Sequence, residues 1–174
     1  MQQLLEAYSH GPSHTRRFAS ALAPFIRPGF AVCLDGELGA GKTTFVSGLA
    51  AALGSRDEVL SPTFALEHRY ALDVPERPGL RVLLHVDLYR PGDDARRDLL
   101  PTMLEARDEG AVLVVEWAAP ILADLEPYLE ISLRLDRAHG AAQHRVLVAR
   151  AVSEGWAHLA ALAEAWARIE QESS

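Results

Sequence analysis

The sequence contains no asparagine, one cysteine and one lysine, the lysine standing against sixteen arginines in 174 residues. A single thiol allows no internal disulfide, and Cys33 lies inside an apolar run, where a small core residue is a simpler reading than a redox or metal-binding group. Long apolar runs are missing too. Nothing approaches the ~20 residues that a membrane-spanning helix requires, and the N-terminus lacks a charged-then-apolar export pattern, so a cytoplasmic protein with no membrane association is expected. Positive charge is also short. A formal net charge of −7 counts against a chain that binds nucleic acid by itself, because neutralising phosphates takes a basic surface. Abundant arginine and alanine beside so little lysine and asparagine fits genome base bias better than function. A hydrophobic content of 49% argues against disorder, and the length suits one domain, residues 1–174, with a real core.

The lone lysine sits in Gly36-Glu37-Leu38-Gly39-Ala40-Gly41-Lys42-Thr43, a complete G-x-x-x-x-G-K-[ST] phosphate-binding loop. Arginine is a planar fork and lysine a compact point charge. A chain that uses arginine everywhere else and keeps lysine here points to a pocket shaped for an ammonium, the β/γ-phosphate site of a nucleotide. The flanks agree with the motif: Ala31 to Asp35 reads as a buried strand, and Thr43 to Leu53 as a helix with Phe45, Val46, Leu49 and Leu53 inward. Glycines let backbone N–H groups turn towards phosphate oxygens, and the helix N-terminus adds a favourable dipole end. Thr43 would then ligate Mg²⁺ through its hydroxyl. Glu37, Leu38, Gly39, Ala40, Gly41, Lys42, Thr43 and Thr44 form the expected nucleotide contact.

Elsewhere the pattern predicts a helix over 13–26, capped by Ser13 with Phe18, Leu22, Phe25 and Ile26 inward. Strands are predicted at 63–71, 81–87, 112–117, 128–135 and 144–151. Residues 73–79 are too few for a helical crossover, so part of the sheet should be antiparallel. Residues 94–107 and 119–125 read as helices. From Gly155, the residues Trp156, Leu159, Ala163 and Trp166 fall at helical spacing, a packing stripe in the simpler reading and a partner-binding helix in the sharper one. The expected class is α/β: a P-loop NTPase-like three-layer fold, a mixed sheet with helices on both faces.

A phosphate loop needs carboxylates opposite it. Val112-Leu113-Val114-Val115-Glu116 is an apolar strand that ends in an acid, at the end of a sheet where open α/β folds bind ligands. Leu83-Leu84-His85-Val86-Asp87 repeats the pattern. Structural alternatives are a helix cap for Asp87 and an ion pair for Glu116. His85 and Asp87 share a strand face, but no third ligand of suitable spacing accompanies them, so His85 reads as orienting a neighbour and not as a zinc ligand. Ser61-Pro62-Thr63 is by itself a proline turn entering a strand; the sharper reading places a hydroxyl near the γ-phosphate as a nucleotide-sensing switch.

Four segments, Gly36 to Phe45, Ser61-Pro62-Thr63-Phe64, His85-Val86-Asp87-Leu88-Tyr89-Arg90 and Val115-Glu116-Trp117, together resemble in order and spacing the motif series of the TsaE family, formerly YjeE. These are small bacterial ATPases required for making threonylcarbamoyl-adenosine beside the anticodon of tRNA. The resemblance spans residues 13–150. It implies an ATP- and Mg²⁺-dependent hydrolase that works with two partner proteins, TsaB and TsaD, where TsaD carries the transfer chemistry and a separate enzyme makes the threonylcarbamoyl-adenylate. It further implies that tRNA is reached only through the complex, which suits the acidic charge. By the same resemblance Lys42, Asp87 and Glu116 serve hydrolysis, Thr43 and Glu116 the metal, and Ser61, Thr63 and Trp117 the switch. Which carboxylate orients water stays open, and Trp117 is either a core aromatic or, as the resemblance favours, a lid.

The chain departs from the family at Glu37, where aspartate is usual, and at Pro91-Gly92, which breaks a segment that tends to be helical and leaves the role of 91–110 open. A small-molecule kinase would need a mobile arginine lid, for which Arg90, Arg96 and Arg97 are available. A common GTPase would need a second lysine to read guanine, and none exists. A purely structural nucleotide-binding protein would bind ATP without turnover.

Overall fold

The computed structural model describes residues 2–62, 65–89, 93–136, 144–152 and 160–171. In chain order the elements are β1 (Gln2–Ser9), α1 (Pro12–Leu22), β2 (Ala31–Asp35), α2 (Lys42–Ala52), β3 (Glu67–Ala71), β4 (Val82–Asp87), α3 (Asp93–Asp108), β5 (Val112–Glu116), β6 (Tyr128–Leu135), β7 (Arg145–Val152) and α4 (Ala160–Gln171). Short 3₁₀ segments at Ala23–Phe25 and Ala119–Leu125 join them. The strands form one sheet in the order β1-β7-β6-β2-β5-β4-β3. Its middle is parallel, β6-β2-β5-β4, and its edges are antiparallel. The expected hairpin is the β3–β4 pair, with Ala71 opposite Val82.

Alternation along the central strands builds two cores. Val32, Leu34, Leu83, Val112 and Val114 pack with Phe18 of α1, Phe45 and Leu49 of α2 and Trp166 of α4. Ala31, Cys33, Leu84, Val86, Leu113 and Val115 pack with Met103 of α3 and with Ile121 and Leu125. Helices therefore cover both faces, the three-layer arrangement expected. β5 is buried at all five positions, as a β-branched apolar run in the centre of a parallel sheet should be.

Several local expectations need correction. Ser13 does not cap α1: the cap is Gly11, with no side-chain cap bond, because Pro12 lacks an N–H and its fixed φ starts the helix one residue earlier. The same chemistry at Pro24 ends α1 at Leu22 and turns the next residues into a 3₁₀ segment. Of the strand expected over 63–71, residues 63 and 64 lie outside the described residues, and the observed strand is Glu67–Ala71, behind a left-handed Leu66 with φ 66°. Residues 119–125 are helical as expected, in 3₁₀ form. The edge strand β1, paired with β7, was not anticipated by periodicity. In α4 the fully buried Trp166 donates its indole N–H to the Phe18 carbonyl at 3.1 Å, which makes the described part of the C-terminal stripe a packing surface against α1. Trp156 and Leu159 lie outside the described residues.

Candidate functional site

The chain leaves β2 through Gly36, whose φ of +145° and close neighbour permit no side chain: a Cβ there would sit 2.3 Å from the Leu133 carbonyl oxygen of β6. It enters α2 through a left-handed Gly41, φ +105°, which serves as the helix N-cap. That geometry leaves the first N–H groups of α2 without intrahelical partners, pointing out of the loop. Lys42, first residue of the helix, is only 5% exposed and folds its ammonium back on the loop, donating to the carbonyls of Gly36 at 2.7 Å and Glu37 at 3.2 Å. Burial pushes its pKa below the ordinary lysine value, and the negative charges of Glu116, Asp87 and Asp35 pull against that shift.

Opposite stand the two strand-end acids. Asp87 and Glu116 are register partners on β4 and β5, both buried, on the face that α2 covers. One Glu116 oxygen, Oε1, accepts from the Thr43 hydroxyl at 3.2 Å and from His85 Nε2 at 2.9 Å. The other, Oε2, lies 3.9 Å from Lys42 Nζ. Asp87 Oδ1 accepts the Tyr89 backbone N–H at 2.9 Å. After Glu116 the backbone turns left-handed at Trp117, φ 60°, a conformation unusual for a bulky residue and of a kind that gathers at functional sites. The turn lays the indole over Lys42, with Nζ 4.3 Å from the ring centroid, and against Tyr89 at 4.9 Å.

Lys42, Thr43, Asp87, Tyr89, Glu116 and Trp117 line a cavity of about 220 Å³ together with Leu38, Gly39, Gly41, Thr44 and Ser61, with His85 buried behind it. Of the expected contacts, Ala40 is buried beneath the loop, and Glu37 is exposed and lends its carbonyl to Lys42. Thr63 lies outside the described residues. So do Arg90 and the side chains of Arg96 and Arg97, on which a kinase reading would depend. Thr43, Glu116 and Asp87 offer hard oxygen donors to a magnesium ion, and the left-handed glycine cradle with its buried lysine suits a polyphosphate, so the residues present fit both groups.

Arg145, which sequence reasoning missed, braces the loop from β7: Nε donates to the Ala40 carbonyl at 2.9 Å and Nη2 to that of Gly39 at 3.2 Å. It also walls two further hollows. One, about 150 Å³, shares Gly39, Gly41 and Thr44 with the first cavity and adds Gly11, Pro12 and Thr15; the other, about 320 Å³, is lined by Tyr8, Ser9, His10, Asp136 and His144. The phosphate loop thus separates a carboxylate side from a roomier side floored by β1 and β7. No local pattern marks Arg145 among sixteen arginines, since its partners lie more than a hundred residues away.

Comparison with known proteins bears on the same residues. The family model for "Threonylcarbamoyl adenosine biosynthesis protein TsaE" matches residues 9–146, which include every site residue named above except Tyr8. The "tRNA threonylcarbamoyladenosine biosynthesis protein TsaE" of Streptomyces coelicolor is 38% identical over 146 residues, 82% of this chain and 93% of that one. That of Mycobacterium tuberculosis is 37% identical over 127 residues, 71% and 73% of the two chains. The crystal structure of Bacillus subtilis YdiB superposes with a TM-score of 0.65 at 27% identity, over 99% of this chain and 97% of that one. With its phosphate loop, its strand-end acids and most of its length inside the family match, this chain belongs to the TsaE family.

Proposed function

We propose that this protein is the Mg²⁺-dependent ATPase of tRNA threonylcarbamoyladenosine biosynthesis, a cytoplasmic single-domain subunit that works with the partner proteins TsaB and TsaD. The observation that carries the reading is the buried Glu116 carboxylate, shared by Thr43, His85 and Lys42 at the mouth of the phosphate loop. Family membership supplies the pathway, and the site supplies the chemistry.

Backbone N–H groups of residues 36–43 and the Lys42 ammonium bind the ATP phosphates. Lys42 gains from that contact, because burial has already lowered its preference for charge and a polyanion restores it. Thr43 and Glu116 would hold a magnesium ion, which would neutralise charge on the phosphate oxygens when bound. Asp87 is the better group to orient the attacking water, because both donors to Glu116 Oε1 tie that residue to the Thr43 side while Asp87 is fixed by the Tyr89 backbone N–H. Trp117 covers Lys42, and with Tyr89 packed against its ring it keeps bulk water from the reacting phosphate. At a net charge of −7 the subunit leaves tRNA to its partners.

The test is phosphate release by the protein alone, with the TsaB–TsaD pair, and with the pair plus tRNA. Slow turnover alone, acceleration by the pair and poor tRNA binding by the isolated chain are expected, since misplacing a catalytic group by about 1 Å can cost roughly 10²-fold. A rate indifferent to the pair, joined to tight tRNA binding by the chain alone, overturns the partner-dependent reading; phosphate transfer to a metabolite in place of water makes the protein a kinase.

A further inference from the structure

His85 is wholly buried, yet neither packing nor the mechanism above uses it fully. Its Nε2 lies 2.9 Å from Glu116 Oε1, while Nδ1, equally buried, has no hydrogen-bond partner among the described residues. A carboxylate oxygen only accepts, so Nε2 carries the hydrogen; leaving Nδ1 without one avoids an unsatisfied buried donor. A histidine present only to fill the core would be replaceable by an apolar side chain that leaves no orphan nitrogen. The orphan is therefore tolerated for what Nε2 does.

What it does is visible in the split of the Glu116 oxygens. Two donors, Thr43 and His85, converge on Oε1, and Oε2 stands 3.9 Å from Lys42 Nζ, well beyond the ~2.8 Å of a close charge-assisted hydrogen bond. We propose that His85 is a positioning residue: its Nε2–H holds Glu116 on the Thr43 side and so keeps the carboxylate from closing onto Lys42, which leaves the ammonium available for phosphate. Without that anchor, a buried carboxylate and a buried ammonium would settle into a direct ion pair. This rests on the nucleotide reading of the site.

The experiment compares His85→Leu, which removes the donor, with His85→Gln, whose amide nitrogen can donate from nearly the same place. Binding of a fluorescent ADP analogue without magnesium, ATP turnover across a Mg²⁺ titration, and nitrogen NMR of the wild-type histidines are measured. His85→Leu should weaken ADP binding and lower turnover by roughly 10-fold or more each, the scale seen when a group that orients a ligand is lost. His85→Gln should recover most of both. In the Glu116→Gln background, His85→Leu should cost little more, because one interaction is removed twice. Equal losses in the Leu and Gln variants, additivity with Glu116→Gln, or wild-type binding in His85→Leu overturn the proposal. If His85→Leu does not fold, the NMR decides: an Nδ1–H tautomer overturns it, and an Nε2–H tautomer with function kept in His85→Gln supports it. Absence of turnover in the wild type would sink the ATPase reading alone, since the tautomer and ADP binding still test His85.

Discussion

Strands β4 and β5 present two faces with different chemistry. Towards α3 they offer Leu84, Val86, Leu113 and Val115, apolar to the end. Towards α2 they begin the same way, with Leu83, Val112 and Val114, and then switch to His85, Asp87 and Glu116 at their C-terminal ends. Three polar residues at alternate positions turn half a core into a site. They are tolerated because they arrive as a set: Thr43 and His85 donate to Glu116, Tyr89 donates to Asp87, and Lys42 balances the charge. The α3 face should therefore carry stability and the α2 face chemistry, and substitutions should separate the two.

The largest separation is expected at Lys42. Lys42→Ala and Lys42→Arg should stay folded by circular dichroism while losing nearly all ATP turnover, on the order of 10²-fold or more, the scale of removing one preorganised charge-stabilising donor. The arginine variant is the sharper probe, because a guanidinium fork does not fit under Trp117 where an ammonium turns back on the Gly36 carbonyl. Near-wild-type turnover in Lys42→Arg would break the geometric argument while leaving nucleotide binding intact. Next come Glu116→Gln and Asp87→Asn, each expected to cut hydrolysis by about 10²-fold, as for loss of a positioned acid–base group. A Mg²⁺ titration separates them: the Glu116 variant needs more metal and the Asp87 variant does not. Wild-type rates in both would place the active site elsewhere.

The acids and the loop could be read from sequence because each is local: a contiguous glycine pattern, and an apolar run that ends in a carboxylate. The central strands followed for the same reason, and 128–135 matches Tyr128–Leu135. What escaped depends on contacts between distant residues. Arg145 reaches the loop from the far edge of the sheet, and β1 is a strand only because β7 lies beside it. The left-handed turn at Trp117 has no glycine to announce it. Proline chemistry accounts for both misses in the first helix, since Pro12 overrode Ser13 as the start signal and Pro24 shortened the helix.

On the opposite face, Met103→Ala should cost about 2–5 kcal/mol, the range for emptying a buried site of that size. Met103 is fully buried in the α3 core. Denaturant midpoints should fall while turnover per folded molecule holds. A variant that kept its stability but lost activity would show that the α3 face also shapes the site.

The smallest effect is expected at Cys33, on the α3 face of β2. Burial pushes its thiol from 9.0 up to about 12. At pH 8 the native thiolate fraction is then on the order of 10⁻⁴, so a thiol reagent should label the folded protein very slowly and the urea-unfolded protein promptly. The same shift fixes a sign in the pH dependence of stability. Between pH 9.0 and about 12 the unfolded thiol gives up its proton while the native one keeps it, so the unfolded state binds fewer protons and stability falls as pH rises through that window. Cys33→Ala should remove this part of the alkaline decline and change turnover by less than about twofold, as expected for a substitution clear of the site. Fast labelling of the native protein, or a larger loss of turnover, would mean that this face opens to solvent or couples to the phosphate loop, and the division between the two faces would fail there.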